Sequence, residues 1–208
     1  MPGIELHGVA VSNFVRAVRM ALEEKKLAYE LFPCAPHSDV PKQIHPLGKI
    51  PVLRHGTVEL AETRAIAGYL ESIFPARPLF PDDPVDLAQT EQWISIVNSA
   101  VDRTMIRDYV FPYHFPRSRG EEPDWVAIDA ALPSLRQQVS MLDAAVAETG
   151  YLAAGRFTYA DCALLPTLAA VRNFPEGADA IAAAPALNAY FETHSQRPSF
   201  VATAPEFA

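Results

Sequence analysis

Hydrophobic positions along the first eighty residues follow two alternating periods. IELHGV (4–9) is a short strand candidate. Val15, Val18 and Leu22 then recur at helical spacing, with Arg16, Arg19, Glu23 and Lys26 mostly on other faces. LAYELFP (27–33) reads as a second strand, HSDVPKQIHPLG (37–48) as a polar loop with one short helix, and IPVLRHGTVEL (50–60) as two short strands around a His-Gly turn. Helical spacing returns at Ile66, Leu70 and Ile73. The predicted order, β-α-β-(α)-β-β-α, is a mixed α/β unit of domain size.

Phe74–Pro84 holds four of the nineteen prolines, a density no regular element survives. The expected division is therefore 1–76 as the α/β domain, 77–84 as linker and 85–208 as a second domain. Trp93, Val97, Val101 and Met105 fall four apart on one face of a predicted long α-helix. FPYHFP (111–116) reads as a proline-bounded aromatic loop. Residues 123–150 are helical up to a stop at Gly150, and 158–174 and 184–196 give two more helices. No strand-like alternation occurs there, so the second domain is expected to be all-α.

Charge and composition narrow the partners. Lys plus Arg number 17 and Asp plus Glu 25, a formal net charge of -8. An acidic chain without basic clusters argues against nucleic acid or an anionic membrane as partner. The beginning MPGIELHG lacks a basic region followed by an apolar one, and stretches such as CALLPTLAAV are about half the ~20 residues of a spanning helix. Cys34 and Cys162 lie far apart with no CxxC, which fits a reducing cytoplasm.

Four landmarks then occur in one order. HPLGKIPVL (45–53) followed by ELAETRAIAGYL (59–70) resembles the glutathione-binding core of the cytosolic glutathione S-transferases. SNFVRAV (12–18) is similar to the serine-type start of helix one in the theta and phi classes. FTYADCALLP (157–166) and QRPSFVA (196–202) resemble the family's C-terminal capping box and its usual ending. The resemblance implies a thioredoxin-like N-terminal domain, βαβαββα, followed by an all-helical bundle. It also implies glutathione as cosubstrate, no metal, a cytoplasmic homodimer with Arg64 and Tyr69 near its interface, and a role in detoxification.

By the same resemblance, Ile50-Pro51 is cis, although the sequence alone favours trans. The Ile50 backbone then pairs with the cysteinyl unit of glutathione like a short added strand. Glu62 and Thr63 stand where a turn feeds a helix, a place where free N–H groups favour anions. The resemblance gives the γ-glutamyl carboxylate to Thr63 and its ammonium to Glu62. Lys49 adds positive charge at the site mouth, and His37 and Lys42 lie in the loop that contacts the glycyl carboxylate in phi-class relatives; as surface lysine and histidine they are equally well read as solvated.

Ser12 heads a predicted helix, where Ser is a favoured cap. No base accompanies it, so it is not itself expected to be the nucleophile. The reactive group is the glutathione sulfur, and a donor at the helix start favours its thiolate. Asn13 is the local alternative donor. Arg16 adds positive charge or is tied to a structural carboxylate, and Cys34 is misplaced for catalysis. Thr158 and Asp161 form a capping-box pattern flanked by Phe157 and Cys162 at staple spacing. Met105, Tyr109, Tyr113 and Phe115 are candidate walls of a pocket for an apolar electrophile. The expected function is conjugation of glutathione to a small apolar electrophile, or related peroxidase or dehalogenase chemistry. The alternatives are a non-catalytic glutathione- or ligand-binding protein of this fold and a glutathione-dependent isomerase.

Overall fold

A computed structural model describes residues 3–205. The chain divides into two compact units, one running up to Phe80 and including the stretch from Gln196 onward, the other Pro81–Ser195.

The first unit contains β1 (Ile4–His7), α1 (Asn13–Glu24), β2 (Tyr29–Phe32), α2 (Asp39–Ile44), β3 (Val52–His55), β4 (Val58–Ala61) and α3 (Thr63–Ile73). The sheet order is β2-β1-β3-β4. β1 and β2 are parallel, and α1 supplies the crossover such a pair needs. β3 pairs antiparallel with both β1 and β4. Alternate residues Ile4 and Leu6 of β1 and Leu53 of β3 meet Val15, Val18 and Leu22 of α1 and Ile66 and Leu70 of α3 in one buried cluster. This is the mixed α/β unit that the two periods predict, in the thioredoxin-like arrangement that the resemblance implies.

Register fixes what lies at the sheet's end. His7 pairs with Phe32 and Val52, and Val52 with Ala61. The next residues outward are Gly8, Pro51 and Glu62, so the β1–α1 loop, the start of β3 and the head of α3 emerge along one edge.

The stretch from Gln196 onward was expected in the helical domain, within 85–208; it belongs to the first unit instead. Its short helix α10 (Pro198–Ala202) packs on α1. The reason is polar pairing. Arg16 donates from Nη2 to Phe200 O (3.0 Å), lies 4.0 Å over the Phe200 ring and reaches Thr203 Oγ1 (3.5 Å). Arg19 donates to the Thr203 and Ala202 carbonyls (3.1 and 3.3 Å). These cations meet the carbonyl end of a helix, where its partial charge is negative. Glu24 accepts two bonds from Arg197 (both 2.8 Å) and one from Ser199 Oγ (2.5 Å). Burial, then the charge of Arg19, pushes the Arg16 guanidinium down to about 10. Among the described residues Arg16 is tied to one carbonyl, one hydroxyl and a ring. A second anchor holds the proline-rich segment: buried Lys25 pairs with Glu71 (2.6 Å), which also accepts from the N–H groups of Leu79 and Phe80 (3.3 and 3.5 Å).

The second unit is helical: α4 (Pro84–Ile96), a π-helical stretch (Val97–Val110), α5 (Phe111–Ser118), α6 (Trp125–Val146), α7 (Tyr159–Val171), α8 (Pro175–Ala182) and α9 (Pro185–His194). Asp83 caps α4 by accepting from Val85 and Asp86 N–H (2.9 and 3.0 Å). The single long α-helix predicted here changes pitch at Val97. Its wider turn is visible in two ion pairs five residues apart, Arg107 with Asp102 (2.8 Å) and Arg103 with Asp108 (3.0 Å). FPYHFP is a helix rather than a loop. Pro116 lies inside α5, and Pro112 falls in its first turn, where proline is tolerated. α8 begins on Pro175 in the same way. Gly150, at φ +73°, closes α6 with its N–H on Val146 O (2.9 Å).

The capping box of α7 is fully formed and fully buried. Asp161 Oδ2 accepts from Thr158 N–H (2.8 Å) and Thr158 Oγ–H (3.1 Å), while Oδ1 accepts from Leu152 N–H (3.2 Å) and Tyr190 O–H (3.0 Å).

Candidate functional site

The sheet register gathers the site at one edge of the first unit. Gly8 allows the closest approach. A Cβ placed there would stand 2.5 Å from Val15 Cγ2 and 3.4 Å from Ile50 Cβ. The first turn of α1 and the residue before Pro51 are thus both drawn against the end of β1. The Ile50–Pro51 peptide is cis.

Ser12 is the N-cap of α1, in extended conformation, and its Oγ accepts from Val15 N–H at 3.4 Å. A hydroxyl that accepts with a lone pair keeps its own proton to give. Capping and donation to a ligand are compatible at this atom. Asn13 is the first residue of the helix itself and is half-buried.

At the head of α3, Glu62 is the N-cap with φ +66° and ψ 120°. A non-glycine residue held there stores about 1–3 kcal/mol, a feature that concentrates at ligand clamps. Its carbonyl accepts from Ile66 N–H (2.9 Å), while its side chain is 72% exposed. Thr63 opens the helix and is buried. The carboxylate of Glu62 is held by His45 Nε2 at 2.9 Å, a contact the sequence reading missed although His45 begins the motif it used.

Lys49 is exposed beside this edge, next to half-buried Ile50. His37 and Lys42 come together around Gly48. The His37 N–H donates to Gly48 O (2.7 Å), and a Cβ at Gly48 would meet His37 Nδ1 at 2.9 Å and Lys42 Cγ at 3.3 Å. Both side chains belong to exposed residues, and they adjoin Lys49 through Gly48. Cys34 is half-buried, and burial raises its thiol above the usual range despite a hydrogen bond with Ser38, which works against the thiolate form a catalytic cysteine needs.

The proposed pocket walls in the second unit do not stand as expected. Met105, Tyr109 and Tyr113 are buried in the helical core, and only Phe115 is exposed. The tyrosines point inward because Glu176 takes both hydroxyls on Oε2, from Tyr109 at 3.0 Å and Tyr113 at 2.7 Å. Tyr109 also accepts from Gly177 N–H (2.8 Å), and Tyr113 stacks on Phe174 with centroids 4.3 Å apart. These three residues are corrected to core positions.

The phenols carry a pH signature. Burial, then the Glu176 carboxylate, pushes Tyr113 up to about 12 and Tyr109 higher still. A tyrosine ionises at about 10 when unfolded. The stability these phenols contribute is therefore complete below pH ~10 and is lost as pH rises toward 12. Alkaline unfolding followed by phenolate absorbance should begin in that window. Tyr109→Phe/Tyr113→Phe should be less stable at neutral pH yet lose less stability across it.

Among the described residues no group of three or more His, Cys, Asp or Glu could hold a metal ion, and no helix is long and apolar enough to cross a membrane.

A thioredoxin-like unit with a cis proline at a strand start and a strained helix cap beside it, and a separate helical unit, make up the chain. Comparison with known proteins gives the family. Residues 6–78 match the glutathione S-transferase N-terminal domain and residues 126–193 the C-terminal domain. The chain is 31% identical to glutathione S-transferase 3 of Zea mays over 212 residues, covering 98% of this chain and 94% of that protein. The crystal structure of glutathione transferase F7 from Populus trichocarpa superposes with a TM-score of 0.85 at 25% identity, covering 96% and 97% of the two chains. Glutathione S-transferase III in its apo form gives 0.85 at 26%, covering 99% and 100%. The chain belongs to the glutathione S-transferase family, enzymes that join glutathione through its sulfur to a second substrate.

Proposed function

We propose that the chain is a serine-type, theta/phi-like glutathione transferase that joins the glutathione thiolate to a small apolar electrophile, working as a cytoplasmic homodimer in detoxification. Ser12 donates a hydrogen bond from its hydroxyl to the sulfur and so favours the thiolate. The Ile50 backbone beside Pro51 pairs with the cysteinyl unit, Glu62 meets the γ-glutamyl ammonium and Thr63 its carboxylate. Lys49, His37 and Lys42 supply polar contacts toward the glycyl end. Glutathione is the cosubstrate, and no metal takes part.

The observation that carries this reading is the convergence of the α1 cap, the start of β3 and the cap of α3 at one sheet edge. A helix start supplies unpaired N–H groups and the positive end of a dipole, and both favour a thiolate over a thiol. Thiolate absorbance of the glutathione complex, followed against pH, is the test. The bound thiol should ionise well below the value of about 8.5 of a free thiol. Ionisation at the free value, or no retention on immobilised glutathione, would overturn the proposal.

A further inference from the structure

His45 lies between two parts of the proposed site. It is 5% exposed, although it sits in a loop beside exposed Pro46 and Leu47. Its Nδ1 accepts from Leu47 N–H at 2.9 Å. That bond fixes the tautomer, because a nitrogen that accepts carries no proton. The ring proton is on Nε2, which donates to Glu62 Oε1 at 2.9 Å. One buried imidazole thus spans from the exposed carboxylate at the head of α3 to the turn that leads into Lys49, Ile50 and Pro51. That turn is tightened by Gly48 N–H on His45 O (2.8 Å).

We propose that His45 is a positioning residue for glutathione, orienting the Glu62 carboxylate through Nε2 and the Leu47–Ile50 turn through Nδ1. This rests on the reading that Glu62 meets the γ-glutamyl ammonium. Glu62 is largely solvated and would otherwise exchange among rotamers, and ordering it in advance removes an entropy cost from binding. His45 touches no reacting atom. Its effect belongs in the affinity for glutathione and in recognition of the ammonium, not in the chemical step.

The two ring nitrogens can be separated by substitution. Asn places an oxygen near the position of Nδ1 and loses the bond to Glu62. Gln places an amide donor near Nε2 and loses the acceptor for Leu47. The measurement is kcat and KM for glutathione and for its analogue lacking the γ-glutamyl amino group, in the full-length wild type, His45→Asn, His45→Gln and Glu62→Gln. The wild type should prefer glutathione. His45→Asn should lose about tenfold of that preference through KM, the scale of one charge-assisted hydrogen bond, with kcat little changed. His45→Gln should keep most of the preference. A His45→Asn enzyme that retains the preference, or a His45→Gln enzyme that loses it equally, overturns the role of His45. If Glu62→Gln itself retains the preference, the reading of Glu62 fails and the proposal falls with it. If His45→Asn does not fold, loss of the preference in His45→Gln still overturns the role.

Discussion

Ser12→Ala is expected to lower kcat by about 10²-fold, the lower end of what loss of one donor at a developing or held anion costs. The lower end applies because the N–H groups of α1 and the dipole behind them remain. KM for glutathione should move little, since the tripeptide's two carboxylates and its ammonium are held elsewhere in the proposed site. The loss should also depend on pH. Without the hydroxyl the bound thiol ionises closer to its free value, so the deficit is largest in mild acid and shrinks as pH rises past that value. Ser12→Thr keeps a hydroxyl and should recover part of the rate. Asn13→Ala should change it little. Steady-state rates with a model electrophile across pH read all of these at once. A rate in Ser12→Ala equal to wild type at every pH would remove Ser12 from the mechanism. The structural cost is small by comparison, because the cap bond to Val15 N–H is long at 3.4 Å. Loss of a serine cap typically costs about 1 kcal/mol and less where the bond is weak.

Asp161→Ala should be the most destabilising single change considered, on the order of 3–5 kcal/mol. The carboxylate is fully buried and each oxygen accepts two bonds, from Thr158 N–H and Oγ–H on one side and Leu152 N–H and Tyr190 O–H on the other. Burial raises its pKa, and the four donors work against that shift. Removing the side chain leaves all four donors in the interior. Asp161→Asn should be nearly as damaging. An amide has one oxygen, so its nitrogen would face a buried backbone N–H, which cannot accept, beside a hydroxyl that would have to turn. Urea unfolding should show a large fall in midpoint for both variants, and Thr158→Ala a smaller one. An Asp161→Asn midpoint near wild type would mean that the box is not held by acceptor geometry.

How much of this the sequence carries depends on whether the cause is local. The strands and helices of the first unit follow from apolar spacing, because each buries one face against a single core. The capping box was equally legible: Thr158 and Asp161 lie three apart, and the structure makes the bonds that spacing allows. The aromatic positions were not. Tyr109 and Tyr113 look alike whether they line a pocket or a core, and Glu176, which decides it, is more than sixty residues away. The pitch change at Val97 was hidden for a related reason, since Val97, Val101 and Met105 are buried under the wider turn as they would be in an α-helix. FPYHFP misled because its prolines were read as bounding a loop, whereas Pro112 falls in the first turn of α5 and Pro116 inside it. His45 was unreadable as a bridge, because its two partners are set by the fold of a turn and by an unusual dihedral at Glu62.

The packing of α10 on α1 gives synthesis of the protein a direction. Arg16, Arg19 and Glu24 emerge from the ribosome early, and the Phe200, Ala202 and Thr203 carbonyls, Arg197 and Ser199 that complete them emerge more than 170 residues later. Until then the helix headed by Ser12 carries a guanidinium that the finished fold keeps almost dry. A released fragment ending at the proline-rich segment stays in that state. The unit that holds α1 therefore cannot complete its packing until residues 197–203, encoded beyond the whole helical unit, have been made.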